Sequence, residues 1–190
     1  VSVRAEHLGG DIWVYHDAVG ADLCRQIIEK YDQSENRRQP GGLYDNRQCE
    51  TVEASKILDW KILDAQLEAV VGSILTKHYS EYGVALPFSD EGYEVCCYEP
   101  GQICVEHCDG TALANRSARL WALAMYLNDC EEGKVVFPRQ GIEVVPKAGT
   151  VAVWPPHMTH PHKTLPADTK RYMVVTWSGL IYPKGHPSAA

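Results

Sequence analysis

Residues 104–110 read Cys-Val-Glu-His-Cys-Asp-Gly, which sets a histidine and a carboxylate two positions apart among thiols. In an extended strand alternate side chains share a face, so His107 and Asp109 would point one way while Cys104, Glu106 and Cys108 point the other. That geometry selects the His-x-Asp pair and sets the thiols aside. A zinc site on Cys104, His107 and Cys108 would need the strand broken, and no second cysteine pair with zinc-ligand spacing follows. Taken alone, the pair reads more readily as a buried histidine beside a turn-forming Asp-Gly than as a metal site. The stretch from 155 to 177, PPHMTHPHKTLPADTKRYMVVTW, changes the balance by supplying three further histidines, His157, His160 and His162. Two histidines and one carboxylate on a rigid β scaffold form a facial triad on Fe(II), leaving positions open for a chelating cosubstrate and dioxygen.

The elements that would position these groups follow from hydrophobic period. IWVYHDAV reads as a short strand, and ADLCRQIIEKYD sets Leu23, Ile27, Ile28 and Tyr31 at helical spacing. Residues 33–50 are polar and carry Pro40-Gly41-Gly42, as expected of a long loop. From Ile57 to about Tyr82, Trp60, Leu63, Leu67, Val70, Val71, Ile74 and Leu75 recur at steps of three and four, predicting one long helix or two in series. From Tyr93 onward short β-branched and aromatic runs follow one another between turn signals: YEVCCY, QICVEH, RLWALAMYL, KVVF, IEVV, TVAVW and RYMVVTW. Strands at that spacing predict a sandwich or barrel with helices packed on one face.

Composition narrows the partners. A chain of 190 residues is enough for one domain burying roughly 70% of its unfolded surface, and nothing in the composition divides it. A net charge of −7 argues against nucleic acid, whose binding draws on clustered Lys and Arg. Apolar runs fall short of the roughly 20 residues that cross a bilayer. Seven irregularly spaced cysteines suit reduced thiols, and with no apolar signal core at the start the expected location is cytoplasmic.

With these residues in view, the sequence resembles the Fe(II)/2-oxoglutarate dioxygenases, specifically their prolyl-4-hydroxylase-like branch. Four blocks carry the resemblance in the family's order: YEVCCYEPGQICVEHCD, ALAMYLND, EEGKVVFPRQGIEVVPKAGTVAVWP and PHKTLPADTKRYMVVTW. It covers residues 93–178 and, more loosely, the helices before them. The implied fold is mainly β, a double-stranded β-helix or jelly-roll core over about 90–180, supported by helices from about 1–85, all in one domain spanning 1–190. The family places its distal histidine nine or ten residues before a basic residue heading the last core strand. Counting back from Arg171 gives His162, with His160 and Lys170 as the fallback ligand and fallback clamp.

The resemblance implies an iron centre of His107, Asp109 and His162, with 2-oxoglutarate and O2 as cosubstrates and ascorbate in a supporting role. The far carboxylate of a chelated dicarboxylate would be buried, and a guanidinium fork such as Arg171 satisfies both its oxygens. By resemblance Tyr126 adds a phenol donor and Tyr98 lines the same pocket. Asp109 favours hydroxylation, because related halogenases carry Gly or Ala in its place. Trp177 stands where the nucleic-acid demethylase branch carries a second Arg, and reads as core packing. Cys108 reads as an apolar filler facing away from the ligands.

For substrate contacts, Arg37, Arg38, Tyr44 and Arg47 lie in or beside the polar loop, with Arg47 and Tyr44 preferred. The expected activity is hydroxylation of an unactivated C–H on proline or another amino acid, free or in a peptide, releasing succinate and CO2. Desaturation or cyclisation of a secondary metabolite, and metal or small-molecule binding by a non-enzymatic cupin-like protein, are the competing readings.

Overall fold

A computed structural model describes residues 3–38, 47–85, 87–111 and 119–180. The chain opens with a hairpin, β1 (Arg4–Gly9) and β2 (Ile12–His16), followed by helix α1 (Ala21–Asp32). Strand β3 (Glu50–Glu53) leads through two 3-10 turns, Ala54–Lys56 and Leu58–Trp60, into helix α2 (Lys61–Glu81). The rest is β: β4 (Phe88–Asp90), β5 (Glu94–Tyr98), β6 (Arg119–Tyr126), β7 (Val135–Phe137), β8 (Ile142–Val144), β9 (Val151–Trp154), β10 (Lys163–Thr164) and β11 (Arg171–Leu180).

Seven strands run in the order β1-β2-β9-β6-β11-β5-β3, with β4 also paired to β11, making one large antiparallel sheet. A small sheet, β10-β7-β8, faces it. The fourth place in the small sheet is taken only by isolated bridges, of which His107 to His162 is one. This pair of facing sheets is the expected double-stranded β-helix.

Helix α2 forms because one stripe of its sequence is apolar. Leu63, Leu67, Val71, Ile74, Leu75 and Tyr79 fall on one side and are buried, while Ile62 is exposed. Together with Cys24, Ile27 and Tyr31 of α1, this stripe packs on the outer face of the large sheet, against Val95, Leu123, Met125, Val151, Val153 and Val174. A second core fills the space between the sheets, where Ala122, Ala124, Tyr126, Ala152, Trp154 and Met173 meet Val135, Phe137 and Val144. The two cores use alternate residues of the same strands, as the two-residue period of a strand requires.

Two expectations are revised. The region before residue 85 holds more than helices and the one strand expected over IWVYHDAV: β1 and β3 are also present, and the three strands extend the large sheet at both edges. QICVEH is not a strand: Cys104 and His107 make single bridges, a bend separates them, and Asp109 opens a 3-10 turn, Asp109–Thr111. Val105 is 44% exposed, so this run never buries the alternate side chains that would hold a strand in place.

Candidate metal centre and cosubstrate pocket

The bend after Cys104, rather than strand alternation, brings His107 and Asp109 together. Reciprocal backbone hydrogen bonds between His107 and His162, 3.0 and 2.9 Å, then draw in the distal histidine. His107 Nε2 lies 3.4 Å from Asp109 Oδ1, and His162 Nε2 lies 3.5 Å from Asp109 Oδ2. The three donor atoms are within 4.8 Å of one another, and among the described residues this is the group that could hold a metal ion.

Backbone contacts fix both rings. His107 Nδ1 donates to Val105 O at 2.9 Å and His162 Nδ1 to His160 O at 3.1 Å, so each Nε2 is left facing the carboxylate. Asp109 Oδ2 is buried and has no hydrogen-bond partner among the described residues, which is what an acceptor waiting for a cation looks like. Burial works to raise the Asp109 pKa, but the two imidazoles beside it hold it below the usual carboxylate value. The histidines divide: burial pushes His162 down, whereas at His107 burial is outweighed by the Asp109 carboxylate and the Cys104 sulfur acting together, which push the ring's pKa up to about 11 and keep it protonated. A dication here would displace that proton, and the donor set fits Fe(II).

Other candidates are placed elsewhere. His160 faces away, with Nε2 2.5 Å from Gly10 O and Nδ1 2.8 Å from Thr159 Oγ1, so it braces the β1–β2 turn. His157 is exposed. Cys104 does not point away from the centre as strand alternation predicted: its Sγ is 3.5 Å from His107 Nδ1, on the side of the ring opposite the carboxylate.

Arg171 begins β11 on its inner face and is 1% exposed. Its Nη1 donates to Gly133 O at 2.6 Å and Leu165 O at 3.3 Å, and its guanidinium carbon sits 4.2 Å from the centroid of the Tyr98 ring. Among the described residues Nε and Nη2 are buried without an acceptor, and so is the Tyr126 hydroxyl, a phenol that burial keeps protonated. Two guanidinium donors and a phenol left open in one interior match the far carboxylate of a dicarboxylic acid. Lys170 instead pairs with Glu99 at 2.7 Å near the surface.

Gly133 matters to this clamp. A Cβ there would lie 2.5 Å from Arg171 Nη1 and 2.8 Å from Cys130 Sγ, so only glycine leaves the guanidinium its seat.

Sequence reasoning also missed Arg119; Trp177 packs against the inner core as expected, and has a second role that sequence reasoning did not assign. Arg119 makes a two-pronged pair with Glu91 at 2.7 and 2.6 Å, donates to Asp109 O at 2.7 Å, and stacks 4.1 Å from the Trp177 ring centroid. Trp177 helps keep Asp109 ionised through its indole N–H, from outside good hydrogen-bond geometry. It is therefore part of the centre's wall, and counting by twos from Arg171 along β11 would have put it there. Arg47 pairs with Glu94 at 2.7 Å, Arg38 with Glu53 at 2.6 Å, and Arg37 sits 5.9 Å from the Tyr31 ring. Tyr44 lies outside the described residues.

The molecule is a double-stranded β-helix with two histidines and a carboxylate converging inside it, above a buried guanidinium. Residues 93–179 match the family model of the 2OG-Fe(II) oxygenase superfamily. That match covers a little under half of the chain and, with the fold, supports a 2-oxoglutarate-dependent dioxygenase that resembles the prolyl-4-hydroxylase-like branch. The family implies Fe(II), 2-oxoglutarate and O2.

Similar solved structures include a viral collagen prolyl hydroxylase from Paramecium bursaria Chlorella virus-1 in complex with 2OG, 18% identical, with a TM-score of 0.72 over 91% of this chain and 98% of that one. A Trichoplax adhaerens prolyl hydroxylase, in complex with a hypoxia inducible factor peptide fragment, is also 18% identical, with a TM-score of 0.72 over 89% and 83%. A Pseudomonas putida prolyl-4-hydroxylase is 20% identical, with a TM-score of 0.63 over 90% and 94%. No curated protein matches the chain. Among the described residues no helix is long and apolar enough to cross a membrane.

Proposed function

We propose that His107, Asp109 and His162 hold Fe(II), that Arg171 and Tyr126 receive the far carboxylate of 2-oxoglutarate, and that the enzyme hydroxylates an unactivated C–H of an amino acid. Succinate and CO2 are the expected co-products. Proline is the first substrate to try, because the similar structures are prolyl hydroxylases. Bound iron would supply activation of O2 for oxidation of the C–H bond. The chain's part is to orient and exclude. The Nδ1 contacts hold both imidazoles in the tautomer that offers Nε2, and the ionised Asp109 completes the face. Tyr98 covers the clamp's guanidinium, and Phe137 and Trp154 pack against the His162 ring to keep water from that side.

The observation that carries this reading is one interior containing both a convergent two-histidine, one-carboxylate set and a buried guanidinium with two donors open. Anaerobic titration with Fe(II) and 2-oxoglutarate tests it. The visible charge-transfer band of the chelate is expected in the wild type and should weaken or shift in Asp109→Ala. Absence of the band in the wild type would remove the reading. Ascorbate is expected to support turnover.

A further inference from the structure

We infer that the Arg47–Glu94 ion pair recognises the two charges of a free α-amino acid, exchanging its internal partners for the carboxylate and ammonium of the substrate. The inference rests on the reading of this site as an amino-acid hydroxylase and narrows its substrate class from amino acids in general to unblocked zwitterions.

Position comes first. Glu94 opens β5 on the face shared with Cys96 and Tyr98, which is the face turned toward the small sheet. It stands opposite Val175 of β11, so along that strand it falls between the Arg171 clamp and Trp177 beside the centre. Arg47 arrives from the other side. Its backbone bridges to Cys104, the residue whose Sγ touches the His107 ring, and its Nη1 reaches Glu94 Oε2 at 2.7 Å and Cys96 Sγ at 3.7 Å. Nη2 lies 3.4 Å from Glu94 Oε1. A paired positive and negative charge is thus set into the wall next to the first metal-ligand candidate. The two side chains keep 21% and 17% of their exposure, so they are reachable from solvent yet largely dry.

Charge decides what could bind there. A ligand carrying only a carboxylate would take Arg47 and leave Glu94 half-buried without a partner, and a ligand carrying only an ammonium would do the reverse. A residue within a peptide carries neither charge on its backbone and would have to sit over an intact pair. A free amino acid satisfies both at once: guanidinium to carboxylate in a fork, carboxylate to ammonium. Arg119–Glu91, a second ion pair near the centre among the described residues, belongs to the support of the centre. Arg119 also holds the Asp109 carbonyl and covers Trp177, so breaking that pair would disturb the centre itself.

The test uses the full chain loaded with Fe(II) and 2-oxoglutarate, and measures substrate-stimulated succinate formation. The panel is the free proteinogenic L-amino acids together with the N-acetyl and carboxamide forms of each, and a proline-containing tripeptide. At least one free amino acid is expected to stimulate turnover, with kcat/KM falling at least tenfold when either end is blocked. In Glu94→Gln the penalty for N-acetylation should shrink several-fold, and in Arg47→Gln the penalty for the carboxamide should do the same. A pair that merely staples two segments would instead lower Tm in both variants and leave these ratios unchanged, which overturns the inference. So would equal or better turnover of the tripeptide, or no response to any free amino acid. In each of those cases an intact Fe(II)/2-oxoglutarate band in the wild type confines the failure to this inference, whereas loss of the band would remove the reading of the site beneath it.

Discussion

The two faces of the large sheet are made from the same strands and do different work. Outward, Val95, Leu123, Met125, Val153 and Val174 pack against α1 and α2 in a closed apolar layer. Inward, at odd steps along the same strands, stand Tyr126, Arg171 and Trp177, with buried polar atoms that find no hydrogen-bond partner among the described residues. Orphaned buried donors each cost about 1–3 kcal/mol, so the inner face carries a standing penalty that the outer face must offset. Stability and chemistry are thus separated by the two-residue period of a β-strand.

Substitutions should therefore divide by face. The largest expected effect on the inner side is His162→Ala, which should remove iron binding and lower turnover by three orders of magnitude or more while leaving the thermal melt of the metal-free protein close to wild type. Normal metal uptake in that variant would show that the ligand is elsewhere. Next, Arg171→Ala should raise the 2-oxoglutarate requirement by on the order of a hundredfold, since losing one partner of a buried charged pair costs about 2–5 kcal/mol. Steady-state kinetics against 2-oxoglutarate reads this directly, and an unchanged KM would move the clamp.

On the outer side, Leu67→Ala should cost about 2–5 kcal/mol of stability by opening a cavity under α2, with activity per folded molecule unchanged. Denaturant melts and active-site titration together check both halves. A smaller effect, back on the inner side, is expected of Gly133→Ala. The added methyl meets Arg171 Nη1, and an overpacking cost of about 1–3 kcal/mol should appear as roughly a tenfold rise in KM for 2-oxoglutarate rather than as a lower kcat.

The smallest effect at neutral pH belongs to His78 on the outer side, buried among Tyr15, Trp121 and Tyr82 with Nδ1 bonded to the Tyr15 hydroxyl. Burial lowers its pKa from 6.5 to about 4, so the folded protein resists a proton that the unfolded chain accepts. Its contribution is complete above about pH 6.5 and declines by up to about 1.4 kcal/mol per pH unit as pH falls toward 4. Urea melts at pH 7 and pH 5 should differ less in His78→Gln than in the wild type. An equal loss in both would assign the acid sensitivity to other groups.

The sequence made some of this legible for identifiable reasons. Strands β5, β6, β7, β9 and β11 carry β-branched or aromatic runs, and α2 carries a long apolar stripe, so their period is visible without neighbours. RAEHLG, ETVE, FSD and KT have no such pattern, and the strands they form exist only because another strand lies alongside. The site residues were marked by type and spacing, but not by the geometry assumed for them. His107 and Asp109 converge through a bend, and Cys104 lies against the imidazole instead of facing away. Gly133 and Arg119 gave no local signal, because each acts by touching a residue distant in sequence, Arg171 in one case and Asp109 in the other.

The brace from His160 to Gly10 spans 150 positions, and the bond between His107 and His162 closes a loop of more than fifty. Contacts that far apart pay their loop-closure entropy before they return any enthalpy, so they form late in folding. A chain emerging from the ribosome without β11 lacks the strand that holds β5 to β6, along with Arg171. On the proposed ligand set, iron would then find no assembled site in the nascent polypeptide, and metal loading would follow folding.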